Sequence, residues 1–107
     1  MAKGILYVET RPSAPEREAD FHTWYDKIHL PEVVALNSFT SARRLSPVDD
    51  DGPFVAIYEI EADDLQAVVD NMLEAYAKGD LRMSDSVQMD PEPNVRLLRL
   101  ITDYTPD

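Results

Sequence analysis

Apolar positions recur along this chain with two periods. Residues 4–9, 54–60 and 95–104 are dense in β-branched and aromatic side chains, the composition of strands. Residues 39–45 alternate more weakly and place Phe39, Ser41, Arg43 and Leu45 on one face of a further strand. Two other stretches follow the helical period of about 100° per residue. Over 63–78 the apolar stripe is Leu65, Val68, Val69, Met72 and Tyr76. Asp63 with Gln66 forms its start signal, and Gly79 suits the position just past its end. Around the helix predicted over 14–29, Phe21, Trp24, Tyr25, Ile28 and Glu32 gather on one side, with His22 and His29 along its edge.

That first helix carries its own punctuation. Ser13 and Glu16 have the spacing of a capping box, with Pro15 in the first turn. Pro31 has no N–H for the carbonyl of Lys27 and disfavours helical geometry at Leu30, so the helix ends or kinks beside His29. An end there leaves His29 next to unpaired carbonyls, which favour the imidazolium.

The predicted order is strand, helix, strand, strand, helix, strand. A hairpin between two helical crossovers is the ferredoxin-like βαββαβ arrangement, an α+β fold with a four-stranded antiparallel sheet and both helices on one face. The strands are apolar on both faces: Ile5 and Tyr7 oppose Leu6 and Val8, and Phe54, Ala56, Tyr58 and Ile60 oppose Val55 and Ile57. Two helices cover one face only, so the other is expected to meet a second sheet in a homodimer.

Composition narrows the picture. The 107 residues suit one domain, 1–107, and 44% hydrophobic with 29% charged residues indicates a soluble folded domain rather than disorder. A net charge of −11 argues against nucleic acid and anionic membrane as partners, since both need a basic footprint. The absence of cysteine removes disulfides, thiol nucleophiles and cysteine metal sites. No stretch has the length of a signal core or membrane span, so a cytoplasmic location is expected. The run Asp49-Asp50-Asp51 reads as a solvated turn within 47–53, without calcium-loop spacing.

The pattern Phe21-x-x-Trp24-Tyr25-x-x-x-His29-x-Pro31-x-Val33 resembles the motif of the dimeric α/β-barrel superfamily, and within it the ether-degradation (EthD-like) proteins and their relatives. The element order agrees with that superfamily along nearly the whole chain. The superfamily includes cofactor-free monooxygenases, polyketide cyclases, muconolactone isomerases, haem-degrading and haem-binding enzymes, and members without known activity. The resemblance implies a pocket in each subunit between sheet and helices, with the histidine before the proline, His29, as the residue to suspect there.

His29 is the first candidate for acid/base work, because imidazole titrates near neutrality; the alternative is a structural histidine capping the broken helix. Tyr25 is the second, since a buried tyrosine hydroxyl seeks a partner. Trp24, His22, Arg43, Tyr7 and Tyr58 are candidate ligand contacts. Arg43 on an interior face would pair with a carboxylate or an oxygenated ligand, and on an exterior face is surface charge. His22 and His29 do not share a metal: seven residues rise about 10.5 Å along a helix, and two zinc ligands each lie about 2 Å from the ion.

Residues 80–94 make a long helix–strand connection, and its Leu81, Met83, Val87 and Met89 need cover. Docking onto a partner subunit is the first expectation and a mobile lid the second. No Gly-rich nucleotide loop, zinc-protease motif or G-x-S-x-G elbow is present. The favoured expectation is therefore a small enzyme without a cofactor, acting on an apolar oxygenated or aromatic molecule. In it His29 moves a proton while Tyr25 or Arg43 orients an oxygen. A non-catalytic ligand-binding dimer and a haem protein with His29 as axial ligand are the alternatives.

Overall fold

β1 (Ala2–Thr10) is an inner strand with a partner along each edge. The computed structural model describes residues 1–49 and 52–106; Asp50 and Asp51 of the predicted acidic turn lie outside the described residues. β2 (Phe39–Leu45), β3 (Phe54–Ala62) and β4 (Asn94–Arg99) complete a sheet of order β2-β3-β1-β4. All three pairings are antiparallel. One helical crossover joins β1 to β2 and another, α3 (Leu65–Lys78), joins β3 to β4, which makes the fold ferredoxin-like α+β as the element order predicts.

Register assigns the two faces. Leu6 lies opposite Tyr58 on β3 and Leu97 on β4, so these three share a face. Leu6, Ala56, Tyr58 and Ile60 on that face are buried with α3 residues Leu65, Val68, Val69 and Met72. Gly4 sits on the same face where α3 comes closest: a Cβ there would lie 2.9 Å from Leu65 Cδ1 and 2.5 Å from the Leu98 carbonyl oxygen. The opposite face carries Ile5, Tyr7, Val55, Ile57 and Leu98, half-buried, with no helix over them. Beyond Arg99 the chain leaves strand geometry. Leu100 donates to the Lys3 carbonyl, and Ile101 and Tyr104 are exposed, so the strand predicted over 95–104 is shorter than expected.

The first crossover is one helical rod from Pro15 to Val34, built from four pieces. A 3₁₀ turn (Pro15–Arg17) leads into α1 (Glu18–Trp24), a π-helical turn (Tyr25–His29) and α2 (Leu30–Val34). The predicted capping box does not form. Ala14 takes the cap position, and the Ser13 N–H donates instead to the Ser86 carbonyl at 2.7 Å. Nor does Pro31 end the helix. The missing N–H and the ring's clash with the preceding turn are absorbed by widening that turn, so that Leu30 N–H donates to the Tyr25 carbonyl, five residues back.

A π-turn is a one-residue insertion in an α-helix, and it turns everything downstream back by about 100°. The buried line therefore runs Phe21, Tyr25, His29, Val33, while Ile28 and Glu32 are only half-buried. The helical wheel of an uninterrupted α-helix places Ile28 and Glu32 at the centre and His29 at the edge; the π-turn reverses this.

α3 follows its sequence closely. Asp64, one residue later than predicted, caps the start by accepting from Ala67 N–H at 3.2 Å. Gly79 closes the helix with φ of 78°. The 80–94 segment docks on its own chain, where Leu81, Ser86 and Val87 are buried. Gln88 N–H donates to the Arg11 carbonyl, and Val87 bridges to Pro12. Among the described residues no helix is long and apolar enough to cross a membrane.

Candidate functional site

The rod, the sheet and α3 converge on His29. Trp24 from α1 stacks on its imidazole with ring centroids 4.5 Å apart. Tyr25, one turn earlier, meets it edge-on at 5.1 Å, and Tyr58 of β3 does so at 6.3 Å. The Tyr76 hydroxyl of α3 is 3.2 Å from Nε2. His29 is 5% exposed, and this burial, only weakly opposed by the charge of Glu32, lowers its pKa to about 4. The imidazole is thus neutral near pH 7. The expected imidazolium at a helix end is not found, because His29 lies inside a continuing rod and faces aromatic rings rather than free carbonyls.

One polar atom of this cluster, Nδ1 of His29, is buried without a hydrogen bond, and the buried Tyr58 hydroxyl faces only the Tyr25 hydroxyl. Such groups are normally paired, directly or through water. The Tyr25 hydroxyl accepts from Thr10 Oγ1 at 3.4 Å. Burial raises the pKa of Tyr25, Tyr58 and Tyr76, so each phenol keeps its proton at neutral pH.

The 80–94 segment holds this arrangement from behind. The Trp24 indole N–H donates to the Arg82 carbonyl at 3.0 Å. Glu32 accepts from Arg82 N–H at 2.8 Å and from its Nε at 2.9 Å, and these bonds hold the Glu32 carboxyl below its ordinary pKa. Arg17 adds an ion pair to Asp85 at 2.7 Å. The segment is fastened to the first helix of its own chain, while Met83 and Met89 remain exposed.

The fold brings Trp24, Tyr25, His29 and Tyr58 together and leaves three other candidates apart. Tyr7 and Tyr58 occupy opposite faces of the sheet, because Tyr7 pairs with Ile57 rather than with Tyr58. The Tyr7 hydroxyl donates to Glu9 on the helix-free face. Arg43 is exposed on that face too, beside Glu59 at 3.8 Å, and orients nothing near His29. His22 lines a cleft of about 610 Å³ at the end of the sheet, with Arg11, Glu18 and Phe54. A second cleft, of about 470 Å³, lies on the helix-free face and includes Arg43 and Leu98. Neither of these two clefts is lined by His29.

Arg44 is the site residue that periodicity misses. A bulge between Phe39 and Ser41 shifts β2 by one residue, so Ala42 and Arg44, not Ser41 and Arg43, turn inward after Phe39. The Arg44 guanidinium lies 4.5 Å over the Tyr25 ring and 5.4 Å over Phe21. It donates to Asp26 and to His22 Nδ1, each at 2.9 Å. An arginine has no acceptor to offer, so Nδ1 of His22 is the accepting nitrogen and its proton sits on Nε2, towards Glu18 at 3.8 Å. Arg44 therefore joins the His22 cleft to the tyrosine cluster. No feature short of the bulge itself would have revealed it.

Haem ligation by His29 needs a ring nitrogen facing a slot for the macrocycle. Nε2 is held by Tyr76 and the ring is walled by Trp24, Tyr25 and Tyr58, so these residues do not fit haem. Among the described residues no group of three or more His, Asp or Glu side chains could hold a metal ion.

No family model matches the chain, and no curated protein does. Among solved structures, the chain is similar to a "putative monooxygenase" from Shewanella loihica. The likeness has a TM-score of 0.60 at 16% identity and covers 96% of this chain and 99% of that one. The shared property is the small ferredoxin-like α/β fold over essentially the full length of both chains.

Proposed function

We propose that this chain is a small enzyme that needs no cofactor and acts on an apolar, oxygenated or aromatic compound, with His29 as proton acceptor. The observation that carries the reading is a buried neutral imidazole with a free ring nitrogen, set among the hydroxyls of Tyr25, Tyr58 and Tyr76. With the ring proton on Nε2 and donated to Tyr76, Nδ1 is a bare acceptor, the form a general base needs. The proton of an acidic O–H or C–H passes to Nδ1, and the Tyr58 hydroxyl donates to the oxygen that gains charge. Tyr25, steadied by Thr10 and lying under Arg44, forms the wall behind it. The fold shared with the Shewanella loihica protein, and the family resemblance of the Phe21–Val33 pattern, support an oxygenase, cyclase or isomerase type of chemistry.

The pKa of about 4 reflects burial opposed only by the charge of Glu32. An anion formed by the transfer lies beside the imidazolium and offsets part of the burial cost. The same low value favours a second reading, in which the site around His29 binds such a compound without turnover. The deciding experiment is a thermal-shift screen of phenols, quinones and enolisable ketones, followed by turnover assays on the hits with and without His29→Asn. Loss of turnover by roughly 10²–10⁴-fold with binding retained supports the base. Binding that persists with no turnover in either protein supports the binding module.

The working form in this reading is a homodimer joined through the helix-free sheet face. Supporting it are the apolar side chains Ile5, Val55, Ile57 and Leu98 on that face, together with both signs of charge: Arg43 and Arg96, Glu9, Glu59 and Glu61. A self-complementary pairing can bury the first set and match the second.

A further inference from the structure

We infer that Pro31 is the positioning residue of the His29 site: it forces the π-turn Tyr25–His29, and the π-turn rotates His29 into the core. Its importance for catalysis rests on the reading of His29 given above, but the geometric role does not.

A proline in a helix interior leaves the carbonyl four residues back without a donor and presses its ring against that carbonyl. Here that carbonyl belongs to Lys27, inside the widened turn. A π-turn relieves the contact by moving the preceding carbonyls outward, at the cost of poorer hydrogen-bond geometry. Nothing else in Tyr25–His29 asks for it, since the turn contains no glycine or serine that would bend a helix by another route. Its consequence is the change of phase. Upstream, Phe21, Trp24 and Tyr25 keep the α-helical pattern; downstream, His29 and Val33 replace Ile28 and Glu32 on the buried side.

Replacing Pro31 by alanine restores the missing N–H and removes the ring. A continuous α-helix then regains its regular hydrogen bonding and brings apolar Ile28 inward in place of a desolvated imidazole. Val33 is the buried apolar side chain that such a reversal gives up. In the reversed phase His29 loses the Trp24 stack and the Tyr76 hydroxyl and meets solvent. The groups that face the ring in the native phase are Trp24, Tyr25, Tyr58 and Tyr76, from all of which this rotation separates it, while Glu32, in the same downstream turn, rotates with it.

A one-residue deletion supplies the counterpart. Lys27 is exposed, and removing it from the Pro31→Ala protein turns the π insertion into plain α-helix while keeping His29 and Val33 in their native phase. The experiment follows the His29 ring protons by NMR against pH in wild type, Pro31→Ala, and Pro31→Ala with Lys27 deleted. The expected result is a low midpoint in wild type, a midpoint near the ordinary 6.5 in Pro31→Ala, and a low one again in the double variant. If Pro31→Ala does not fold while the double variant folds with a low midpoint, the phase argument also stands. A Pro31→Ala protein whose His29 midpoint stays low overturns it, as does a double variant that fails to fold. None of these readouts uses turnover, so either result leaves the assignment of His29 as base to be judged on its own assay.

Discussion

Trp24 lies nearly parallel to His29, with ring planes 21° apart, and its indole N–H is committed to the carbonyl of Arg82. The indole is thus both wall and anchor: it excludes water from one side of the imidazole and ties that wall to the 80–94 segment. Truncating Trp24 to alanine is expected to cost about 3–5 kcal/mol, the usual range for a buried aromatic. Trp24→Phe keeps a ring against His29 and loses the hydrogen bond, at a cost nearer 1–3 kcal/mol because the Arg82 carbonyl is left unpaired. Urea unfolding of the three proteins measures both differences.

The buried neutral imidazole makes stability depend on pH. The unfolded chain protonates His29 near 6.5 and the folded chain only near 4, so between those values the unfolded state holds more protons. Stability contributed by the neutral form is present above about pH 6.5 and is lost as pH falls towards 4. The full loss is of order 3 kcal/mol. Denaturant unfolding at pH 7 and pH 5 should show a decline in wild type that is much smaller in His29→Gln.

Neighbouring arginines are expected to differ sharply. Arg44→Ala removes two ring contacts, the hydrogen bond to His22 and a pair with the exposed Asp26, and should cost about 1–3 kcal/mol. Arg43→Ala removes one exposed pair with Glu59 and should change stability by less than about 0.5 kcal/mol. Equal effects in thermal or chemical unfolding would contradict the bulged register of β2.

Leu6 and Leu98 test the two faces of the sheet. Leu6 is 1% exposed against the helices, so Leu6→Arg should prevent folding altogether. Leu98 lies on the helix-free face, so Leu98→Arg should leave a folded chain and, if the proposed homodimer forms, dissociate it. Sedimentation equilibrium of wild type at micromolar concentration should give about twice the 12.1 kDa chain mass. A wild-type monomer at that concentration ends the dimer proposal.

Much of the fold was legible because local chemistry and tertiary position agree. β2 begins and ends where its alternation predicts, and Gly79 supplies the left-handed residue that closes α3. His29, Tyr25, Trp24 and Tyr58 do share a core. Two failures at the site come from one-residue insertions, which period counting cannot see. The π-turn exchanges His29 for Ile28, and the bulge exchanges Arg44 for Arg43. Each leaves the local sequence ordinary and changes the side that every later residue faces. The docking of 80–94 was hidden for another reason: its bonds run through backbone groups of Arg11, Ser13 and Arg82, which no side-chain pattern advertises.

The strap from 80 to 94 also dictates when the site can exist. Its contacts with the first helix join residues far apart in the chain, 58 positions for Trp24 with Arg82 and 50 for Glu32 with Arg82. Contacts of such separation require a long loop to close and form late in folding. During synthesis, β1, the first helix and the β2–β3 hairpin emerge well before Arg82 does. The indole that walls His29 therefore waits, without its anchor, for residues 80–94. A nascent chain stalled before that point carries every residue of the tyrosine cluster but no fixed Trp24, and the finished site appears only once that strap has been made.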